Sequence, residues 1–214
     1  DEIAELGKVT RSFDGIYATH MRNEDDRLIE AVEEAIHIAR KAEIPLEISH
    51  FKASGKRNWD KISQAFEIIE KANAEGMDIT LDRYPYIAYQ TTLRNLFPTR
   101  FRDGGTDAFV KRLQTPALLT RLKRAALAKI DMLGDWSAVM ITRVSKEEHQ
   151  VHIGKRVSEI VAESKEDPFE FVRQLLINEN GTVGMVGFGM SEEEIKSVLT
   201  HPLVMIASDG GAAA

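Results

Sequence analysis

The sequence of 214 residues contains no cysteine. That excludes disulfides and thiolate metal ligands, so a metal in this chain must be held by His, Asp or Glu. The absence also fits a reducing compartment, and a cytoplasmic location is the expectation. No apolar run approaches the roughly 20 residues that cross a bilayer. No basic segment followed by an apolar one opens the chain, so no signal peptide is expected. There is no basic stripe with interleaved aromatics, and the net charge is -6. A nucleic-acid partner is therefore not expected. No internal repeat or low-complexity tract occurs, and no GxGxxG or Walker A segment follows a candidate strand, which argues against nucleotide binding.

What is present is an ordinary globular composition, 43% hydrophobic and 29% charged, long enough for one domain or part of a larger one. A helix-like start over 2–13 leads to a short apolar strand over 15–19. Leu28, Val32, Ala35, Ile36 and Ala39 recur at helical spacing, and predict a helix over 24–42 with Glu24, Asp25 and Asp26 in its first turn. A strand over 45–49, a helix over 58–75 stopped by Gly76, and a strand over 77–81 follow. This βαβαβ order requires a parallel sheet with right-handed crossovers, either doubly wound or a (β/α)8 barrel. After Tyr86 the rhythm breaks. Residues 89–165 read as an insertion subdomain, with FPTRFRDGG (97–105) as a loop, helices within 107–132, a strand over 137–142 and a short helix over 154–164. Asp167 and Pro168 then open a helix, 183–188 is extended, Ser191–Glu194 is a capping box, and 203–207 is a last strand. The barrel-type elements are thus expected over 1–88 and 166–214.

His20, His50 and Asp209 each follow one of these strands. In parallel α/β folds the carboxyl ends of the strands carry the active site, so distant residues converge there. Imidazole is a strong zinc ligand, and a carboxylate serves as ligand or base. Hydrogen-bonded core histidines are the competing reading. The same placement in successive βα units favours a shared metal. Lys52, two residues past His50, either holds a substrate carboxylate or is a solvated loop lysine. Tyr84 and Tyr86 flank a proline in DRYPY (82–86); they either donate to substrate oxygens or pack at a barrel rim. His37 reads as a helix-surface residue, and His149 and His152 as a solvated H-x-x-H loop. His201 reads as a cap on helix carbonyls, and Glu192–Glu194 as an ordinary acidic helix start.

The run GIYATHMRNEDDRLIEAVEEAIHIARKAEIPLEISHFKASGKRNW resembles the metal-dependent N-acyl-D-amino acid deacylases, or D-aminoacylases, of the amidohydrolase superfamily. DITLDRYPY and MSEEEIKSVLTHPLVMIASDG resemble the same family in the same order. The resemblance covers most of the chain and is weakest over about 90–165. It implies an α/β fold: part of a TIM-like (β/α)8 barrel, about strands five to eight, with a small insertion. It implies zinc at the strand ends, held by His20 and His50. Asp209 matches the catalytic aspartate after strand eight. Lys52 and one tyrosine of the YPY loop match positions that hold the substrate carboxylate. The implied reaction is hydrolysis of a small-molecule N-acyl-D-amino acid to a carboxylate and a D-amino acid.

Two departures bear on that expectation. The superfamily's first-strand H-x-H pair is absent from these residues, as is a ligand from strand three or four. Measured against that family the chain starts near strand five and stops just after strand eight, which resembles the second half of a barrel, and the helix-like opening and closing SDGGAAA read as the ends of a fragment. Such a half would present two unpaired strand edges and is expected to self-associate or to lie within a larger chain. Two alternatives therefore stand beside the deacylase: a dihydroorotase-like or hydantoinase-like cyclic-amide hydrolase, and a non-catalytic half-barrel fragment.

Overall fold

The computed structural model describes residues 2–210; the alanines at 212–214 lie outside the described residues. The chain separates into two compact units. One runs through Ile87 and resumes at Met190, and the other is Ala88–Gly189.

The first unit opens with α1 (Glu2–Arg11), β1 (Tyr17–Thr19), α2 (Leu28–Ala42), β2 (Leu46–Ile48), α3 (Lys61–Ala74) and β3 (Ile79–Arg83). After the second unit it closes with α9 (Glu192–Leu199) and β7 (Val204–Ile206). Its four strands lie in the order β1-β2-β3-β7, and every neighbouring pair is parallel. Parallel neighbours need a crossover, and the amphipathic helices α2 and α3 supply it between the first three strands. Strand alternation sorts the side chains. Leu46, Ile48, Ile79 and Leu81 are buried against Val32, Ala35, Ile62 and Ile69 of the helices. Each buried Leu or Ile here contributes about 1.5–3 kcal/mol. Glu47, between two of them, turns to the other face and sits in register with Ala18 and Thr80.

Three local features of this unit differ from the sequence expectation. The helix predicted from residue 24 begins at Leu28. Asn23 is the reason: its Oδ1 accepts the N–H groups of Asp25 at 3.0 Å and Arg27 at 2.8 Å, which holds this segment in a turn. The first-turn acids are therefore outside the helix. At α9 only half of the capping box forms. Ser191 Oγ accepts the N–H of Glu194 at 3.0 Å, but the Glu194 carboxylate accepts the N–H of Ala53 at 3.2 Å. The run Glu192–Glu194 does open a helix, as its acids suggest, but Glu194 is buried and its carboxylate serves the Ala53 main chain. His201 stacks on Phe66 at 3.9 Å and lies 3.0 Å from Glu70 Oε1 rather than capping carbonyls.

The second unit comprises β4 (Ala88–Thr92), α4 (Thr99–Arg102), α5 (Gly105–Leu113), α6 (Pro116–Leu133), β5 (Val139–Arg143), α7 (Val157–Ser164), α8 (Pro168–Asn178) and β6 (Gly184–Phe188). Its sheet is antiparallel, in the order β4-β6-β5. The sequence reading returns to the barrel at 166, whereas α8 and β6 belong to this unit. Local signals place α8 correctly as a helix, with Asp167 Oδ1 accepting the N–H of Glu170 at 3.1 Å. They do not say which core its apolar face joins. Phe169, Val172, Leu175 and Leu176 pack with Phe97, Phe109 and Met185, and β6 is the central strand. The polar β4 went unpredicted because its pairing with β6, not its own pattern, makes it a strand. His149 is not solvated: its Nδ1 lies 2.5 Å from Oε1 of the buried Glu179. Among the described residues no helix is long and apolar enough to cross a membrane.

Candidate metal centre

β1 and β2 are short, adjacent and parallel, so the residues that follow them emerge together. Ser49 continues the ladder by donating its N–H to Thr19 O at 3.0 Å. His50 then leaves the strand in a left-handed conformation, φ 43°, which is costly for a side chain other than glycine. β3 holds it there. The His50 N–H donates to Asp82 Oδ1 at 2.7 Å, and the Phe51 N–H donates to Asp82 O at 2.9 Å.

The turn brings the two histidines together edge to face. His20 Nδ1 and His50 Nε2 are 2.6 Å apart, with ring centroids at 4.4 Å and planes inclined by 70°. Glu24, released from the helix, reaches the other side of the His50 ring, its Oε1 lying 2.7 Å from Nδ1. The main chain of the same residue is tied in as well, because Ser54 donates its N–H to Glu24 O at 2.7 Å. Lys52 is only 4% exposed. Its Nζ donates to Glu24 Oε1 at 2.6 Å and to His50 O at 2.8 Å.

Charge explains why these groups travel together. Burial pushes the Lys52 ammonium below its ordinary pKa, and the Glu24 carboxylate opposes that. Burial alone would raise Glu24, but the His50 hydrogen bond and the Lys52 ammonium outweigh it and hold the carboxyl below its usual range. His20 is pushed down, first by burial and then by the neighbouring His50 and Lys52, against Glu24 and Asp209. Glu24 is thus the counter-charge of the cluster.

The arrangement suits a divalent cation. One ligand atom from each of His20, Glu24 and His50 lies within 4.8 Å of the others. Two imidazole nitrogens and a carboxylate are the donor types that zinc takes in the absence of thiolate.

The other sequence-predicted residues fall around this cluster. Tyr84 is buried, and Lys52 Nζ lies 5.6 Å from the centre of its ring. Burial pushes its phenol up to about 12. Tyr86 stacks beside Tyr84 at 6.1 Å but is 59% exposed. Asp209 follows β7 in a left-handed conformation, φ 51°, and is exposed. Its carboxylate acts electrostatically on His20, Lys52 and Tyr84. Sequence reasoning missed four residues: Glu24, Asp82, Arg83 and Glu194. Arg83 is fully buried, with its guanidinium carbon 4.2 Å from the centre of the Tyr84 ring. The one local signal for Glu24 was Asn23 before it, an Asx-turn former that delays the helix.

No protein-family model matches the chain. Over 94 residues, 44% of its length, it is 39% identical to a D-aminoacylase of Alcaligenes xylosoxydans xylosoxydans, covering 19% of that protein. It is 28% identical over 211 residues to an N-acyl-D-aspartate deacylase of the same organism, covering 98% of this chain and 34% of the relative. The chain thus spans about a third or less of the length of these curated relatives. The crystal structure of N-acyl-D-glutamate deacylase from Bordetella bronchiseptica, complexed with zinc and a phosphonate mimic of the tetrahedral intermediate, matches 98% of the chain with a TM-score of 0.71. That match has 25% identity and covers 35% of the neighbour.

Proposed function

We propose, for a chain that belongs to the N-acyl-D-amino acid deacylase family of amidohydrolases, that the protein hydrolyses the amide bond of N-acyl-D-amino acids. The observation that carries this reading is the meeting of His20 Nδ1 and His50 Nε2, at 2.6 Å, past the ends of adjoining parallel strands, with the buried Lys52 beside them.

In this reading β1, β2, β3 and β7 are the fifth to eighth strands of a (β/α)8 barrel. Their unbroken parallel order and helical crossovers support it. His20 and His50 would hold zinc, and Glu24 is close enough to join or to support them. Zinc so held supplies Lewis acidity, polarising the acyl carbonyl and lowering the pKa of a water molecule. The remaining work falls to side chains. The Asp209 carboxylate accepts the proton of the attacking water and returns it to the departing amine nitrogen. The Lys52 ammonium and the Tyr84 hydroxyl bind the free α-carboxylate, which fixes the amide and selects the hand at the α-carbon. Tyr84 takes this role in preference to Tyr86 because it lies against Lys52. The barrel is completed by strands beyond β1 and β7, from more chain or from a second copy. Both margins carry exposed apolar residues, Ile16 at 55% and Ile206 at 75%.

A substrate panel tests the activity. Release of D-amino acids from N-acyl-D-amino acids, with the L-series and cyclic amides left intact, is the expected result. Cleavage of cyclic amides alone would replace the deacylase with a cyclic-amide hydrolase. A chain that binds no zinc would leave only an inert fragment.

A further inference from the structure

Glu24 meets His50 and Lys52 through a single oxygen. Oε1 is 2.7 Å from His50 Nδ1 and 2.6 Å from Lys52 Nζ. All three side chains are largely withdrawn from water: 15% of Glu24, 10% of His50 and 5% of Lys52 remain exposed. A carboxylate oxygen and an imidazole nitrogen that close need a proton between them, since two lone pairs would repel. Glu24 offers none, so Nδ1 of His50 carries it. Two of the three Lys52 N–H groups donate to Glu24 Oε1 and to His50 O at 2.8 Å, and Nδ1, committed as donor to the carboxylate 2.7 Å away, has no lone pair left for the third. The 2.9 Å approach of Lys52 Nζ to His50 Nδ1 follows from two donors sharing one acceptor. With Nδ1 protonated, the lone pair of His50 is on Nε2, the atom that faces His20.

We propose that Glu24 is a positioning residue, which fixes the His50 tautomer so that Nε2 is the metal-binding atom, and which moors Lys52 beside it. The role is that of a carboxylate behind a ligating histidine, which orients the ring and raises its basicity. It is built by the turn at Asn23. Were residues 24–27 helical, Glu24 would lie in the first turn of α2 and not behind His50. The proposal rests on the metal reading for His20 and His50, and extends it to a residue that touches neither substrate nor, in this role, the metal.

The experiment is nitrogen-15 NMR of the imidazoles in alkaline buffer, where the rings are neutral, on the wild-type chain and three variants. His50→Ala assigns the signal. In the wild type His50 is expected as the Nδ1–H form. Glu24→Ala is expected to shift it toward Nε2–H, while Glu24→Gln, whose amide oxygen still accepts from Nδ1, restores it. Lys52→Ala is expected to leave the tautomer unchanged. Unchanged signals in Glu24→Ala, or a shift in Lys52→Ala, overturn the proposal. Amide spectra of the variants identify any that fail to fold, and Glu24→Gln then carries the test: a switch of His50 to Nε2–H in that variant also overturns it. A zinc titration by chelator competition is the second readout. Glu24→Ala is expected to weaken binding by about 10–100-fold, with most of it regained in Glu24→Gln. Equal loss in both variants would make Glu24 a direct ligand and overturn the positioning role. Neither readout uses hydrolysis, so an inactive protein with the expected tautomers would fail the deacylase reading alone.

Discussion

The backbone N–H of His50 donates to Asp82 Oδ1 at 2.7 Å, so a side chain on β3 holds the left-handed turn that aims a residue from β2. Loss of that acceptor leaves a part-buried donor unsatisfied and frees a strained turn. Asp82→Ala is expected to lower stability by about 1–3 kcal/mol in urea unfolding and to weaken zinc binding. Asp82→Asn, which keeps an acceptor oxygen, should lose less. A variant as stable as the wild type, with unchanged zinc affinity, would show that the turn holds without β3.

His20 and His50 should both be needed for zinc. His20→Ala and His50→Ala are each expected to abolish tight binding, measured as metal retained after gel filtration. The H-x-x-H pair serves as the control. His152→Ala is expected to retain the wild-type stoichiometry, because among the described residues the group close enough to hold a metal is the one around His20 and His50, with Glu24 beside them.

Tyr84 should ionise late. Its phenol is pushed up to about 12 by burial, against an ordinary value of about 10. The folded state therefore keeps a proton that the unfolded chain loses first, and stability should fall as the pH rises from about 10 toward 12. Absorbance titration of the tyrosinates should show one group lagging, and Tyr84→Phe should remove it. For hydrolysis, Tyr84→Phe should raise KM more than Tyr86→Phe. A larger effect at Tyr86 would exchange their roles.

Glu179 organises the second unit with three contacts. Its carboxylate accepts the N–H groups of Ser145 at 2.6 Å and Lys146 at 3.1 Å and meets His149 at 2.5 Å. Burial alone would raise its carboxyl, but these partners hold it below the usual range. A depressed folded pKa stabilises above the unfolded value of about 4.3, and that contribution is lost as the pH falls below it. Glu179→Gln should flatten this part of the acid-unfolding curve. An identical curve would remove Glu179 from the account.

Gly187 sits opposite Tyr89 in the β4–β6 pair, and a Cβ there would come within 2.5 Å of the tyrosine ring. Gly187→Ala is expected to cost about 1–3 kcal/mol by overpacking. Adding Tyr89→Leu should restore part of it. Failure of the double variant to recover would point to the backbone of β6 instead of the ring.

The sequence by itself determined the local elements and the two histidines. Apolar periodicity marked the strands around β1, β2 and β3 and the helices α2 and α3, because alternation and 3.6-residue spacing are written into neighbouring residues. His20 and His50 were legible because each follows an apolar strand, and strand ends in parallel folds converge. Tertiary structure decided the rest, wherever a residue's role depends on a distant partner. Glu24 reads as a helix-start acid until the Asn23 turn and the burial of His50 and Lys52 give it work. Glu194 reads as half of a capping box until Ala53 offers its N–H. α8 and β6 carry sound local signals, but only the packing of Phe169 and Val172 assigns them to the second unit. Short-range patterns fix conformation along the chain, whereas the choice of partner for a buried charge or an apolar face is made by the other elements that surround it.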